Sequence, residues 1–132
     1  FAGTPDGNPG AVLRAVLASP RVPTPEVRLY QPGSGSDRFG GIPVTYTSSK
    51  DEMRRQMIAD SHVVLTLGGM EGTLREALLS LDAKKPTIFI RGYGPVAAYI
   101  LGTKSLARRS NCIVVASLRE AAEKILSLSA VA

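Results

Sequence analysis

An α/β fold built on a mostly parallel, doubly wound sheet is predicted for this chain by three features of its sequence. Short apolar, β-branched runs alternate with longer segments whose apolar residues recur at i, i+3 and i+4. Several of those runs are continuous rather than alternating, as strands covered on both faces are. Three helical segments open on one pattern, Ser/Thr-x-x-Glu, at Ser49–Glu52, Thr73–Glu76 and Ser117–Glu120, each readable as a capping box. In such sheets helices cover both faces and ligands bind at the carboxyl ends of the strands.

The elements follow in order. Phe1, Ala2 and Gly3 read as the end of a strand, and residues 4–10 as a turn rich in Gly, Pro, Asn and Asp. A helix is predicted over 10–18 with Val12, Leu13, Val16 and Leu17 on one side, ended by Pro20, Pro23 and Pro25. Residues 26–30 alternate as a half-buried strand does, and 31–41 form a Gly/Ser-rich loop. Pro43 marks the strand at 42–47 as an edge or places itself at the strand start. The first capped helix runs to about Asp60 with Met53, Met57 and Ile58 inward. A buried strand over 61–67 leads through a glycine turn to the second helix, which carries Leu74, Ala77, Leu78 and Leu81 as one stripe and ends near Ala83. Strand 87–90, loop 91–94, a helix opened by Pro95 and strand 112–116 come next. The last helix runs to about Leu128, with Leu118, Ala121, Ala122, Ile125 and Leu126 on its buried side. A doubly wound half normally begins one strand and one helix earlier. The chain is therefore expected to start inside its second strand, as one domain over 1–132.

Composition narrows the function classes. With 44% hydrophobic and 20% charged residues in 132, the chain is globular in character. Its one cysteine cannot form an internal disulfide, and no Cys/His spacing suggests a zinc site. No metal or cofactor is expected, and a cytoplasmic setting is. No apolar run reaches the roughly 18 residues of a membrane helix. A net charge of +5 favours anionic partners.

Function is expected at the glycine turn. Gly68, Gly69 and Gly72 lie between a buried strand and a helix, and a helix N-terminus offers unpaired N–H groups and partial positive charge to a phosphate. Thr73 reads as the N-cap and Glu76 as its capping partner or as an acid/base carboxylate. Glu71 is expected to point to solvent. Neither G-x-G-x-x-G nor G-x-x-x-x-G-K-[ST] is present, which disfavours a dinucleotide oxidoreductase or an NTPase. Tyr93, on the loop after a strand, could stack on a base. Cys112 and His62 read as structural, and Lys104, Arg108 and Arg109 as a surface group able to meet an anion.

Gly68-Gly69-Met70-Glu71-Gly72-Thr73-Leu74-Arg75-Glu76 resembles the G-G-x-G-T-x-x-E signature of the LOG family, often described as lysine decarboxylase-like, within the SLOG superfamily. Here the middle is one residue longer. Gly3, Thr4, Gly7 and Gly10 fall in a segment that looks like the family's earlier loop, with Pro9 at its usual Met. Ala59-Asp60 before the strand, Lys85-Pro86, and the opening of the last helix are similar as well. The resemblance implies a Rossmann-like fold, commonly a homodimer, binding a nucleotide or ribose phosphate across the two loops through Gly3, Thr4, Gly7, Gly10, Gly68, Gly69, Met70, Glu71, Gly72 and Thr73. In hydrolytic members a glutamate and a preceding-helix arginine act on the N-glycosidic bond of a nucleoside monophosphate. Glu76 matches the glutamate. By spacing, the arginine position falls on Asp51, while Arg54 and Arg55 lie nearer the motif.

The sequence thus favours nucleotide binding, as a sensor or carrier, over phosphoribohydrolase chemistry by Glu76 with Arg54 or Arg55. DprA-like nucleic-acid binding rests on the basic balance alone and is not expected. Gly69→Asp is expected to abolish ligand binding with little loss of fold.

Overall fold

The computed structural model describes residues 29–32, 38–39 and 42–131. The expected strand end at 1–3, the turn at 4–10 and the helix at 10–18 lie outside the described residues. So does the expectation of an absent first strand.

Three parallel strands, β4 (Val64–Thr66), β5 (Thr87–Ile90) and β6 (Cys112–Val115), form an open sheet in that order. The register places Val64 beside Thr87 and Thr87 beside Cys112. Side chains alternate along a strand, so Val64, Thr66, Thr87 and Phe89 share one face, and Leu65, Ile88, Ile90, Ile113 and Val115 the other. β5 is central and every one of its residues is buried. Its continuous Thr-Ile-Phe-Ile run is the composition such a strand needs.

Helices cover both faces. On the Phe89 face lie α1 (Lys50–Asp60), α2 (Glu71–Asp82), α3 (Pro95–Gly102) and the short α4 (Lys104–Ala107). Met53, Met57 and Ile58 of α1 pack with Val64, while Ala77, Leu81, Val96, Ala97, Ile100 and Leu106 close over Phe89. On the other face α5 (Leu118–Val131) sets Ala121 against Ile88 and Ile90. The predicted inward residues of the first and last helices are the ones buried or packed inward. The chain is therefore α/β with a parallel sheet and helices on both sides.

A second ladder precedes these elements. β1 (Leu29–Pro32) pairs parallel with β3 (Ile42–Thr47), and β2 (Arg38–Phe39) pairs antiparallel with the start of β3. Part of the expected loop at 31–41 is thus strand. β3 is flanked on both sides, so Pro43 does not mark an edge. It sits at the strand start, opposite Arg38 and outside the parallel ladder that begins at Val44, one of the positions where a sheet tolerates proline.

At the amino ends of the strands, polar groups are met by partners. α2 ends in a Schellman motif: Lys85 N–H donates to Ser80 C=O (3.1 Å) and Lys84 N–H to Leu81 C=O (3.1 Å). Lys84 occupies the left-handed position, φ +59°. Asn111 Nδ2 donates to the carbonyls of Leu81 (3.2 Å) and Lys85 (2.8 Å). The buried hydroxyls of Ser80 and Thr87 lie 2.6 Å apart, and Arg109 Nη1 meets Asp82 at 2.6 Å.

Candidate functional site

The carboxyl ends of β4 and β5 carry the two glycine loops, and these touch. A Cβ on Gly94 (φ +94°) would lie 3.0 Å from the Gly68 Cα, so only glycine lets the loop after β5 settle against the turn after β4. The turn itself is as constrained. Gly69 has φ +78°, and a Cβ there would fall 1.8 Å from Thr73 Oγ1. Any side chain at Gly69 must displace a β-branched helical residue as well as strain the backbone. The expectation of little fold loss in Gly69→Asp is therefore corrected: that variant damages the turn along with the site.

Helix α2 begins earlier than expected. Its N-cap is Met70, which makes no side-chain capping bond, and the helix opens at Glu71 with Leu74 N–H donating to Met70 C=O (3.0 Å). Thr73 is thus inside the first turn and is not the N-cap. Glu76 lies in the second turn, too far along to reach back to the helix start. The other two boxes do cap. Ser49 Oγ accepts from Glu52 N–H at 3.1 Å, and Ser117 Oγ accepts from Glu120 N–H at 3.1 Å. Their glutamates serve the neighbouring residue, Glu52 accepting from the Ser48 hydroxyl and Glu120 from Ala116 N–H (2.8 Å). Only the Thr73–Glu76 pattern fails as a cap, so capping does not explain Glu76.

Glu76 faces Arg54. The Arg54 side chain reaches from the first turns of α1 into the crevice beside α2, with its side chain 13% exposed and that of Glu76 17% exposed. Arg54 Nε stands 3.8 Å from Glu76 Oε1, outside hydrogen-bond reach. That Nε is buried and has no hydrogen-bond partner among the described residues, and a buried unpaired donor calls for a reason. Burial pushes the Glu76 carboxyl above its ordinary value, with Arg54 pulling the other way. Arg54 Nη2 would lie 2.9 Å from a Cβ on Gly72, so this glycine keeps the first turn of α2 clear for the guanidinium.

The register puzzle of the arginine resolves in three dimensions. Asp51 and Arg54 are one helical turn apart on the same face of α1, and Arg54 Nη1 donates to Asp51 Oδ1 at 3.0 Å. Arg54 therefore shares a face with Asp51, the position that spacing singles out, and is the arginine that lies beside Glu76. Arg55 is exposed on another face and does not join the site. Glu71 is exposed and pairs with Arg75 at 2.6 Å, as its expected outward direction requires, and Arg75 Nη1 is 3.8 Å from Asp51. Met70 is 77% exposed at the mouth of the turn.

Tyr93 packs against the cluster of Ile88, Ile90 and Ala121 and is partly buried there. Burial pushes the Cys112 thiol up, the wrong direction for a nucleophile. His62 is exposed at the strand start. Gly3, Thr4, Gly7 and Gly10 lie outside the described residues. Sequence reasoning missed the Arg75–Asp51 link and the Gly94–Gly68 contact. The i, i+3 spacing of Asp51 and Arg54 and the i, i+4 spacing of Glu71 and Arg75 were the available signals. Among the described residues, no cluster of His, Cys, Asp or Glu could hold a metal ion, and no helix is long and apolar enough to cross a membrane.

Comparison with known proteins returns no matching family model, curated protein or solved structure. The site's own chemistry carries the functional reading.

Proposed function

We propose that the chain binds a nucleoside 5'-monophosphate at the carboxyl rim of its sheet and hydrolyses its N-glycosidic bond. One observation carries this reading: a half-buried Glu76, released from any capping duty, faces a buried and incompletely paired Arg54 beneath a glycine turn. The glycine turn and the N-terminus of α2 receive the phosphate through backbone N–H groups, with Arg54 as the nearby cation. Glu76 orients a water at the anomeric carbon and accepts its proton. The C1'–N bond breaks with its electron pair leaving on the base, which takes up a proton, and the products are free base and ribose 5-phosphate. A carboxylate made more basic by burial is suited to that task, and its negative charge stabilises the oxocarbenium character of the transition state. The order of glycine signature, preceding strand and helix, with its resemblance to LOG proteins, supports the same substrate class.

The test is incubation with the four common ribonucleoside 5'-monophosphates, followed by chromatography for free base. Wild type releases base from at least one of them, and Glu76→Gln is slower by about 10²–10⁴-fold. A protein whose melting temperature rises with a nucleotide yet releases no base is a sensor or carrier. A protein that shows neither response does not use this site for nucleotides.

A further inference from the structure

We infer that Asp51 is a positioning residue of this site: from the first turn of α1 it holds the Arg54 guanidinium back from Glu76. The inference rests on the reading above, in which Arg54 and Glu76 work as a pair. Two carboxylates flank the guanidinium unequally. The exposed one, Asp51, hydrogen-bonds Nη1 at 3.0 Å, whereas the half-buried one, Glu76, stops 3.8 Å from Nε.

The geometry gives that inequality a direction. The Nε and Nη2 edge of Arg54 faces α2, with Nε towards Glu76 and Nη2 against Gly72. This is an edge that a carboxylate can take in two parallel hydrogen bonds. Nothing among the described residues fills it, and Nε has no hydrogen-bond partner among them. Asp51 draws the opposite side of the guanidinium outward. Asp51 is in turn beside Arg75 Nη1 at 3.8 Å, and Arg75 is gripped by Glu71 at 2.6 Å. Glu71, Arg75, Asp51, Arg54 and Glu76 thus alternate in charge from the exposed rim to the crevice, and they tie the first turns of α1 and α2 together. Without Asp51, Glu76 is the carboxylate left to Arg54 among these groups. The guanidinium then closes the gap and makes a two-pronged ion pair. A glutamate clamped in that way is a poorer base and leaves no charge free for a phosphate. The Asp51 side chain is 68% exposed, and a contact so open to water adds little to stability, so its removal leaves the fold standing.

The experiment is a ¹³C NMR titration of the Glu76 carboxyl in the free protein, with the resonance assigned by its loss in Glu76→Gln. In Asp51→Asn the midpoint moves to lower pH by at least a tenfold change in proton affinity, and Asp51→Glu returns it towards wild type. The Asp51→Asn shift disappears when Arg54→Met is also present, because Asp51 acts through Arg54. An unmoved midpoint in Asp51→Asn overturns the inference. So does a shift that persists with Arg54→Met, since Asp51 would then act on Glu76 by its charge alone. No substrate enters this measurement. A wild type that cleaves no nucleotide counts against the proposed activity, while the titration alone decides the role of Asp51.

Discussion

The two ends of the central sheet are built to opposite rules. At the amino ends, buried polar groups have partners: Asn111 satisfies two carbonyls, Ser80 and Thr87 share a hydrogen bond, and a Schellman motif closes α2. At the carboxyl ends, Arg54 Nε is buried without a partner among the described residues, Glu76 stands just out of its hydrogen-bond reach, and α2 has no side-chain cap. A buried donor left unpaired costs about 1–3 kcal/mol, a cost that the opposite rim avoids. The contrast shows where this chain gives up stability, and under the proposed function a ligand supplies the missing partner there. The amino rim has the character of scaffold; the carboxyl rim is where the proposed site falls.

Substitutions at each rim can break or sharpen that division. The largest expected effect on stability is at the scaffold end. Asn111→Ala removes two hydrogen bonds, each to a carbonyl that keeps a second donor (Lys84 N–H on Leu81, the Thr87 hydroxyl on Lys85), and should lower unfolding free energy by about 1–2 kcal/mol in a denaturant titration, with nucleotide affinity intact in the folded protein. Equal losses of stability and affinity would erase the distinction between the rims. Gly72→Ala should do the reverse. A Cβ there displaces Arg54 Nη2, weakening ligand binding roughly tenfold by calorimetry, while a helical Gly→Ala change adds up to about 1 kcal/mol of stability. Lys84→Gly relieves a left-handed lysine and should stabilise by up to about 1 kcal/mol, less the greater freedom glycine has when unfolded. Binding should not change in that variant.

The subtlest prediction concerns pH. Burial raises the folded-state pKa of Glu76 above its ordinary 4.5. Its favourable contribution to folding is therefore complete below that ordinary value and is lost as pH rises through the folded one. Glu76→Gln escapes this loss, so its melting temperature should gain on wild type between about pH 4 and pH 8. A difference that stays flat across that range would mean that Glu76 is not desolvated.

How much of this was legible in the sequence follows from which forces act locally. β5, α1 and α5 were readable because burial on both strand faces and on one helix stripe writes itself into residue order. The glycine loops were readable because positive φ and close approach admit few other residues. The N-terminus of α2 was not. Thr73-x-x-Glu76 has the same spelling as two genuine caps, and what separates them is that α2 starts at Glu71, with Thr73 lying against Gly69. The choice between Arg54 and Arg55 was open for a related reason. Counting along the chain sets Asp51 at the expected position, but a helix brings Arg54 to the same face one turn later. Tyr93 follows β5 on the same rim, and only packing shows that it is partly buried against Ile88, Ile90 and Ala121.

The most direct test of the central claim is a ¹⁵N NMR titration of the wild-type protein with a nucleoside 5'-monophosphate. The backbone amides of residues 68–73 and 92–94 and the Arg54 Nε–H should shift together, while those of residues 83–86 and 108–111 at the opposite rim stay in place. Shifts confined to the amino rim, or none at saturating nucleotide, would contradict it.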